Sequence, residues 1–347
     1  MIQEIIDRYK RMRTERFLRQ TYRYSYAFVG MGQHSLTNLY PVLHYLGVPL
    51  KYVCVTSGRK AGLIERKYPG VIATTSLDAI LKDDAVRGIL VSASPSAHFA
   101  LASQVLRSGK SLFVEKPPCR TSEELCALID LQRRHAVPVA MAGLQKRYAP
   151  AVRLLRKRLR KEQLITYDLH YLTGAYPEGN PLSDLFIHPL DLVCHLFGQP
   201  EVLACQQPSD GTFLLMLRHP HIVGTLELST SYSWTSPEES LKVCTRSGLY
   251  RLTYMEELTF TPSSLTVAGI PMEKLRPRRK TVEYLCQPNN FAPILPNNQL
   301  YSHGYFHELA AFVDSVENDH VHPASSLETI KDTYELMEKL TAGGWGL

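Results

Sequence analysis

The strongest constraint on the fold is a regular alternation of short apolar runs with amphipathic helical stretches over some 120 residues. Apolar runs at 26–29, 50–55, 88–91, 111–114 and 138–142 are separated by helical patterns at 35–46, 61–68, 99–108 and 122–134. Strands alternating with helices imply βαβ units, hence a parallel, doubly wound sheet. Thr121, followed three residues later by Glu124, forms a capping box at one helix start. After Lys146 the texture changes. A basic amphipathic stretch (Val152, Leu154, Leu155 and Leu159 among Arg153, Arg156, Lys157, Arg158, Arg160 and Lys161) leads into strand-like runs at 165–171, 211–218, 223–230, 241–245 and 250–254. Runs of strands after a βαβ half predict an α+β domain with a large, mainly antiparallel sheet. The basic stretch reads as a solvated face.

The expected organisation is an amphipathic helical extension (1–24), a doubly wound parallel domain (25–146), an α+β domain (147–325), and a C-terminal helix and tail (326–347). Helices are expected at 2–20, at 305–317 and after Ser325-x-x-Glu328, and a Pro/Asn-rich loop at 288–298.

Charge narrows the partners. The chain of 347 residues carries +6, and seven of its cations, against three acids, fall in the first 24 residues. The remaining body is near neutral, which excludes the broad basic surface that nucleic acid requires. No apolar run approaches the ~20 residues of a membrane helix. Seven scattered cysteines without a C-x-x-C pair, and no secretory apolar segment, predict free thiols in the cytoplasm.

Gly30-Met31-Gly32-Gln33-His34-Ser35 follows the first predicted strand and opens a helix. In that context the first glycine makes a tight turn and the second lets a pyrophosphate approach backbone N–H groups. Ser35 replaces the third glycine and is small enough for close packing. The second strand ends without the acid that binds a ribose 2′-hydroxyl. Thr56-Ser57-Gly58-Arg59-Lys60 stands there instead, and a hydroxyl with two cations suits a 2′-phosphate. NADP(H) is the expected cofactor, with NAD(H) the alternative.

Glu115-Lys116-Pro117 ends the strand at 111–114, where ligands of open α/β sheets sit, and Asp184-x-x-x-His188-x-x-Asp191 lies downstream. With the glycine turn, this order of motifs resembles the Gfo/Idh/MocA family, named for glucose–fructose oxidoreductase, inositol dehydrogenase and rhizopine catabolism, over roughly residues 25–340. The resemblance implies a Rossmann domain, then an α/β domain whose open sheet joins subunits into a dimer or tetramer. It also implies hydride transfer between NAD(P) and an oxygen-bearing carbon of a sugar, cyclitol or nucleotide-sugar-like molecule. Lys116 matches the family's E-K-P lysine, and Asp184 and His188 match its catalytic Asp and His, with Phe186 where glycine is common. Lys146-Arg147-Tyr148-Ala149-Pro150 is similar to its R-[FY]-x-P junction. In Ser94-Pro95-Ser96-Ala97-His98 the proline stands three residues before the histidine, where the family has four, so the nicotinamide-side loop does not transfer atom for atom.

The resulting expectation places Lys116, Asp184 and His188 in catalysis. Cofactor contacts are expected from Gly30, Met31, Gly32, Gln33, His34, Ser57, Arg59, Lys60, Ser94, His98, Glu115 and Lys116. Substrate contacts are expected from Lys116, Arg147, Tyr171, Asp184 and His188, with no metal. Imidazole, with an ordinary pKa of about 6.5, is a base suited to neutral pH. Lys116 would stabilise charge on the same oxygen, and Asp184 would orient the imidazole or bind a hydroxyl. Pro189 predicts a helix start beside His188, whose dipole would keep the ring neutral. Asp191 with His195, and His303 with His307, have metal-ligand spacing but no third ligand. Two rival readings stand: an imine or double-bond reductase on the same scaffold, and a dinucleotide-binding regulator or scaffold without turnover.

Overall fold

The computed structural model describes residues 2–18, 21–264, 266–275, 281–289, 291, 294–318 and 324–342. Helix α1 (Ile2–Leu18) comes first. Its apolar residues Ile2, Ile5, Tyr9 and Met12 are exposed rather than packed on the body. Residues 19 and 20 of the expected helix lie outside the described residues, as does part of the 288–298 segment.

Six strands form the first sheet: β1 (Ser25–Val29), β2 (Leu50–Cys54), β3 (Ile72–Thr74), β4 (Val86–Val91), β5 (Ser111–Glu115) and β6 (Ala140–Gly143). All pair in parallel, in the order β3-β2-β1-β4-β5-β6. Between them run α2 (Tyr40–Leu46), α3 (Gly58–Lys67), α4 (Leu77–Leu81), α5 (Pro95–Arg107) and α6 (Ser122–Arg134). The strand order switches sides between β1 and β4, with β2 and β3 added on one side and β4 to β6 on the other, and this is the switch point at which such sheets bind ligands beyond their strand C-termini. The expected capping box is present: Thr121 Oγ1 accepts from the Glu124 amide, and the Glu124 carboxylate reaches the Arg120 amide.

A 3-10 turn (Gln145–Tyr148) and α7 (Pro150–Leu159) join the sheets. The second sheet holds β7 (Leu164–Leu172), β8 (Glu201–Ser209), β9 (Thr212–His219), β10 (Ile222–Ser229), β11 (Glu238–Thr245), β12 (Gly248–Thr253) and β13 (Glu257–Pro262). A two-stranded ribbon of β14 (Thr266–Val267) and β15 (Ile270–Pro271), then the short α9 (Met272–Leu275), precedes β16 (Glu283–Cys286), which completes the sheet as β16-β13-β12-β11-β7-β10-β9-β8. Only β7 with β10 is parallel. Strand β8, not expected from sequence, is an edge strand whose Gln206-Gln207-Pro208 lacks an apolar alternation. The inner face packs on α8 (Ile187–Phe197), which is buried along nearly its whole length.

The last helices return to the first domain. After α10 (Gln299–Ser302), α11 (Tyr305–Glu317) lays Phe312 edge-on against Tyr26 and beside Phe113. Residues 305–317, assigned from sequence to the second domain, thus cover the first sheet, because Leu309, Phe312, Val313 and Val316 bury themselves with Tyr26 and Phe28. Helix α12 (Lys331–Ala342) packs on α6 and α8. No described helix is long and apolar enough to cross a membrane.

Candidate active site

The glycine turn, Ser57–Lys60, Ser94 and the Glu115-Lys116-Pro117 turn stand at the C-terminal ends of β1, β2, β4 and β5. Gly30 has φ +92°, and a Cβ there would collide with the Ser92 carbonyl, so only glycine makes this turn. Around Gly32 nothing lies within 4 Å of where a Cβ would be, which leaves its backbone open to approach. Ser35 is buried, and its hydroxyl meets Ser92 Oγ at 2.9 Å, so it fills the third-glycine position by close packing on β4. Met31 is half-buried on the apolar core beneath the turn, and Gln33 is exposed. His34 is tied to Asn38 at 2.9 Å and faces the Glu115 carboxylate at 3.6 Å, linking the glycine turn to the E-K-P turn. At the end of β2, Ser57 caps α3 by accepting from the Lys60 amide. Arg59 and Lys60 are exposed, and neither pairs with a carboxylate among the described residues.

Two expected cofactor ligands have different surroundings. Ser94 is exposed at the N-terminus of α5, and its hydroxyl meets Ser96 Oγ at 3.3 Å rather than capping the helix. His98, by contrast, is 1% exposed, and its Nδ1 lies 2.8 Å from the Pro117 carbonyl. Through Nδ1 it braces the Glu115-Lys116-Pro117 turn from within, while its buried Nε2 has no partner among the described residues, and burial lowers its pKa, which keeps the ring neutral.

Lys116 reaches across the domain junction. Its Nζ donates to the Asp184 backbone carbonyl at 2.5 Å, and desolvation lowers its pKa despite the carboxylates of Glu115 and Asp184. An ammonium has three donors, so two remain for another oxygen. His188 is buried, and its Nδ1 has no hydrogen-bond partner. Its pKa is held well below the ordinary value by burial first, then by Lys116, Lys146 and His34. The expected helix-end effect is not the cause. A π-helical turn (Leu182–Phe186) runs directly into α8, so His188 does not stand at a free helix terminus.

The same π turn corrects the expectation for Asp184. Residues four apart share a face of an α-helix, but an i→i+5 turn moves them apart. The Asp184 carboxylate accepts from the Asn180 amide (3.1 Å), Ser183 Oγ (2.9 Å) and the Tyr176 hydroxyl (3.5 Å), and has no hydrogen bond to His188. Gly179 is required here, since a Cβ would overlap Asp184 Oδ2. A cavity of about 500 Å³ opens between Pro95, Pro117, Asp184 and Tyr334, lined by neither Lys116 nor His188.

Arg147, expected to touch substrate, is a structural clamp. Its Nε and Nη2 donate to both Asp191 oxygens at 2.8 and 2.6 Å, and both side chains are 2% exposed. The guanidinium also reaches Thr329, and Thr333 donates to Asp191 at 3.0 Å, tying α8 to the C-terminal segment. Asp191 is therefore unavailable to a metal with His195, and His303 faces Glu256.

Lys146 was not singled out from the sequence, although it stands beside Arg147 in the junction motif. It pairs with Glu239 of β11, sits 4.7 Å from the Tyr171 ring centroid and is buried near His188. Tyr171 itself, at the end of β7, is half-buried and edge-on to Phe186. The chain thus brings two cations, a neutral imidazole and a tyrosine to the end of a parallel sheet beside a glycine turn.

Fold and site together define a two-domain protein of Rossmann type. Residues 24–143 match the family described as GFO_IDH_MocA, oxidoreductase family, NAD-binding Rossmann fold. Over those residues the N-terminal domain is similar to that oxidoreductase family. Oxidoreductase P35 of Formosa agariphila is 26% identical over 149 residues, covering 37% of this chain and 46% of that protein. An inositol 2-dehydrogenase of Corynebacterium glutamicum is 23% identical over 159 residues, covering 44% and 47%. The chain spans about half the length of the curated relatives it matches. The solved structure of a dehydrogenase from Chromobacterium violaceum, 20% identical, superposes with a TM-score of 0.78 over 93% of this chain and 95% of that one, so both domains share its fold.

Proposed function

We propose that this protein is an NAD(P)-dependent dehydrogenase or reductase, preferring NADP(H), that moves a hydride between the nicotinamide and a hydroxyl- or keto-bearing carbon of a sugar, cyclitol or nucleotide sugar. The observation that carries this reading is the buried, partnerless Nδ1 of His188 beside Lys116, at the strand ends that follow the glycine turn. A buried polar atom without a partner is costly. A substrate hydroxyl would satisfy it.

The chain's residues fit the cofactor. The open backbone at Gly32 would take the pyrophosphate, and the exposed Arg59 and Lys60, with Ser57, would take a 2′-phosphate. When bound, the nicotinamide supplies the hydride acceptor or donor. Neutral His188 takes the hydroxyl proton in the oxidising direction and returns it in the other. Lys116 holds the same oxygen with its free donors and stabilises its developing charge. Asp184 acts as a positioning residue, ordering the 176–184 loop whose carbonyl fixes Lys116. Tyr171 and Lys146 line the substrate side. The name of the inositol 2-dehydrogenase relative supports a polyol-like substrate.

A homo-oligomer, dimer or tetramer, fits the outer face of the second sheet, where Ile165, Leu214, Met216 and Val223 are exposed. Seven free thiols fit a cytoplasmic location. The test is a nicotinamide absorbance assay with NADP and NAD against sugars, cyclitols and nucleotide sugars. Turnover that disappears in His188→Ala and Lys116→Ala supports the reading, and turnover that survives in both overturns it.

A further inference from the structure

The C-terminal turn of α8, at Cys194, His195 and Leu196, borders a second concavity, of about 840 Å³, which the proposed reaction does not use. Its floor is the basic side of α7. Arg153, Arg156, Lys157 and Arg160 all line it, and their i, i+3, i+4, i+7 spacing puts them on one helical face. Among the described residues none of the four pairs with a carboxylate. Arg147, at the back, has its charge neutralised by Asp191. Arg153, Lys157 and Arg160 are exposed, as expected of a solvated face, but all line one concavity and so crowd like charges together. Arg156 is half-buried, and its pKa is lowered by burial and then by Arg160 and Arg147. On the facing wall His195 is pushed down to about 3 by burial and by Arg147, Arg156 and Arg160. The one acid in the concavity, Asp332, forms no ion pair with these cations and is itself shifted towards its neutral form by burial.

We propose that this concavity binds a small, multiply charged phosphoryl ligand at a site separate from the dinucleotide cleft, with Arg153, Arg156, Lys157 and Arg160 as its counter-charges. Four cations without internal partners repel one another, and an anion carrying two or more phosphoryl groups removes that repulsion while accepting several charge-assisted hydrogen bonds. The volume suits a small ligand. The four residues span about 10 Å along the helix, enough for two or three phosphoryl groups and too short for the extended backbone contacts of a nucleic acid. Asp332, beyond the cations, is placed to accept from a hydroxyl on the rest of the ligand.

The test uses full-length protein saturated with NADPH, so that phosphate cannot enter the cleft, and calorimetric titration with inorganic pyrophosphate and orthophosphate at low salt. Expected is saturable binding of one pyrophosphate, at least tenfold tighter than orthophosphate. The Arg156→Gln/Arg160→Gln pair should weaken it at least tenfold, whereas Arg134→Gln, which removes an exposed cation at the end of α6, should leave it unchanged. Should that pair fail to fold, Arg153→Gln/Lys157→Gln removes two exposed cations with the same expected direction. A second readout is the His195 ring resonance, which should move on pyrophosphate addition. No saturable binding, equal binding by a folded variant pair, or tighter retention of a DNA duplex through the same residues would each overturn the proposal.

Discussion

Helix α8 carries two charged neighbourhoods three residues apart, and they differ in one respect. Towards α12, Arg147 and Asp191 are both buried, but each satisfies the other with two hydrogen bonds and Thr333 completes the set. Towards the E-K-P turn, Lys116 has only a backbone carbonyl, and His188 Nδ1 has nothing. Burial is common to both. Only the second leaves hydrogen-bonding capacity unspent, which is the physical mark separating a binding site from a structural clamp.

The largest expected effect breaks the second neighbourhood. His188→Ala should lower turnover by about 100- to 10,000-fold, the usual worth of a positioned acid–base group, with the thermal midpoint unchanged or raised, since a buried polar atom without a partner is removed. Steady-state kinetics and a melting curve on the same preparation check this. In the first neighbourhood the pattern should invert. Arg147→Met leaves Asp191 buried and unpaired and should cost about 3–5 kcal/mol, read by urea denaturation, whereas Arg147→Met combined with Asp191→Leu should cost much less.

Smaller effects sharpen the contrast. Arg59→Ala should reduce the preference for NADP over NAD by about 10- to 100-fold, the worth of one charge-assisted hydrogen bond of ~1.5–3 kcal/mol, with NAD affinity unchanged. The smallest concerns pH. His188 and His195 both have folded pKa values below the ordinary 6.5. As pH falls below about 6.5 the unfolded chain takes up protons that the folded chain refuses, so stability present above 6.5 is progressively lost. The urea midpoint should fall from pH 7.5 to pH 5, and less steeply in His195→Gln.

The first sheet and its glycine turn were legible because their signals are local: an apolar run, a turn residue and a helix start within a dozen positions. The same holds for Lys116, since the end of a parallel strand is a defined place. Arg147 turned out to be a clamp because a residue type does not reveal whether its hydrogen bonds are spent within the protein. Of the two roles expected for Asp184, only the orienting of the imidazole depended on α-helical spacing to His188, which the π turn breaks. Lys146 was missed because Glu239, Tyr171 and His188 meet it only through long-range packing.

We propose that the strand ends beside His188 and Lys116 form a dinucleotide site that favours a 2′-phosphate. Calorimetric titration of nucleotide-stripped protein with NADPH, NADH, NADP and NAD in parallel tests it most directly. Tight binding of NADP(H), weaker binding of NAD(H), and loss of that difference in Arg59→Ala is the predicted result; the absence of binding by all four would contradict it.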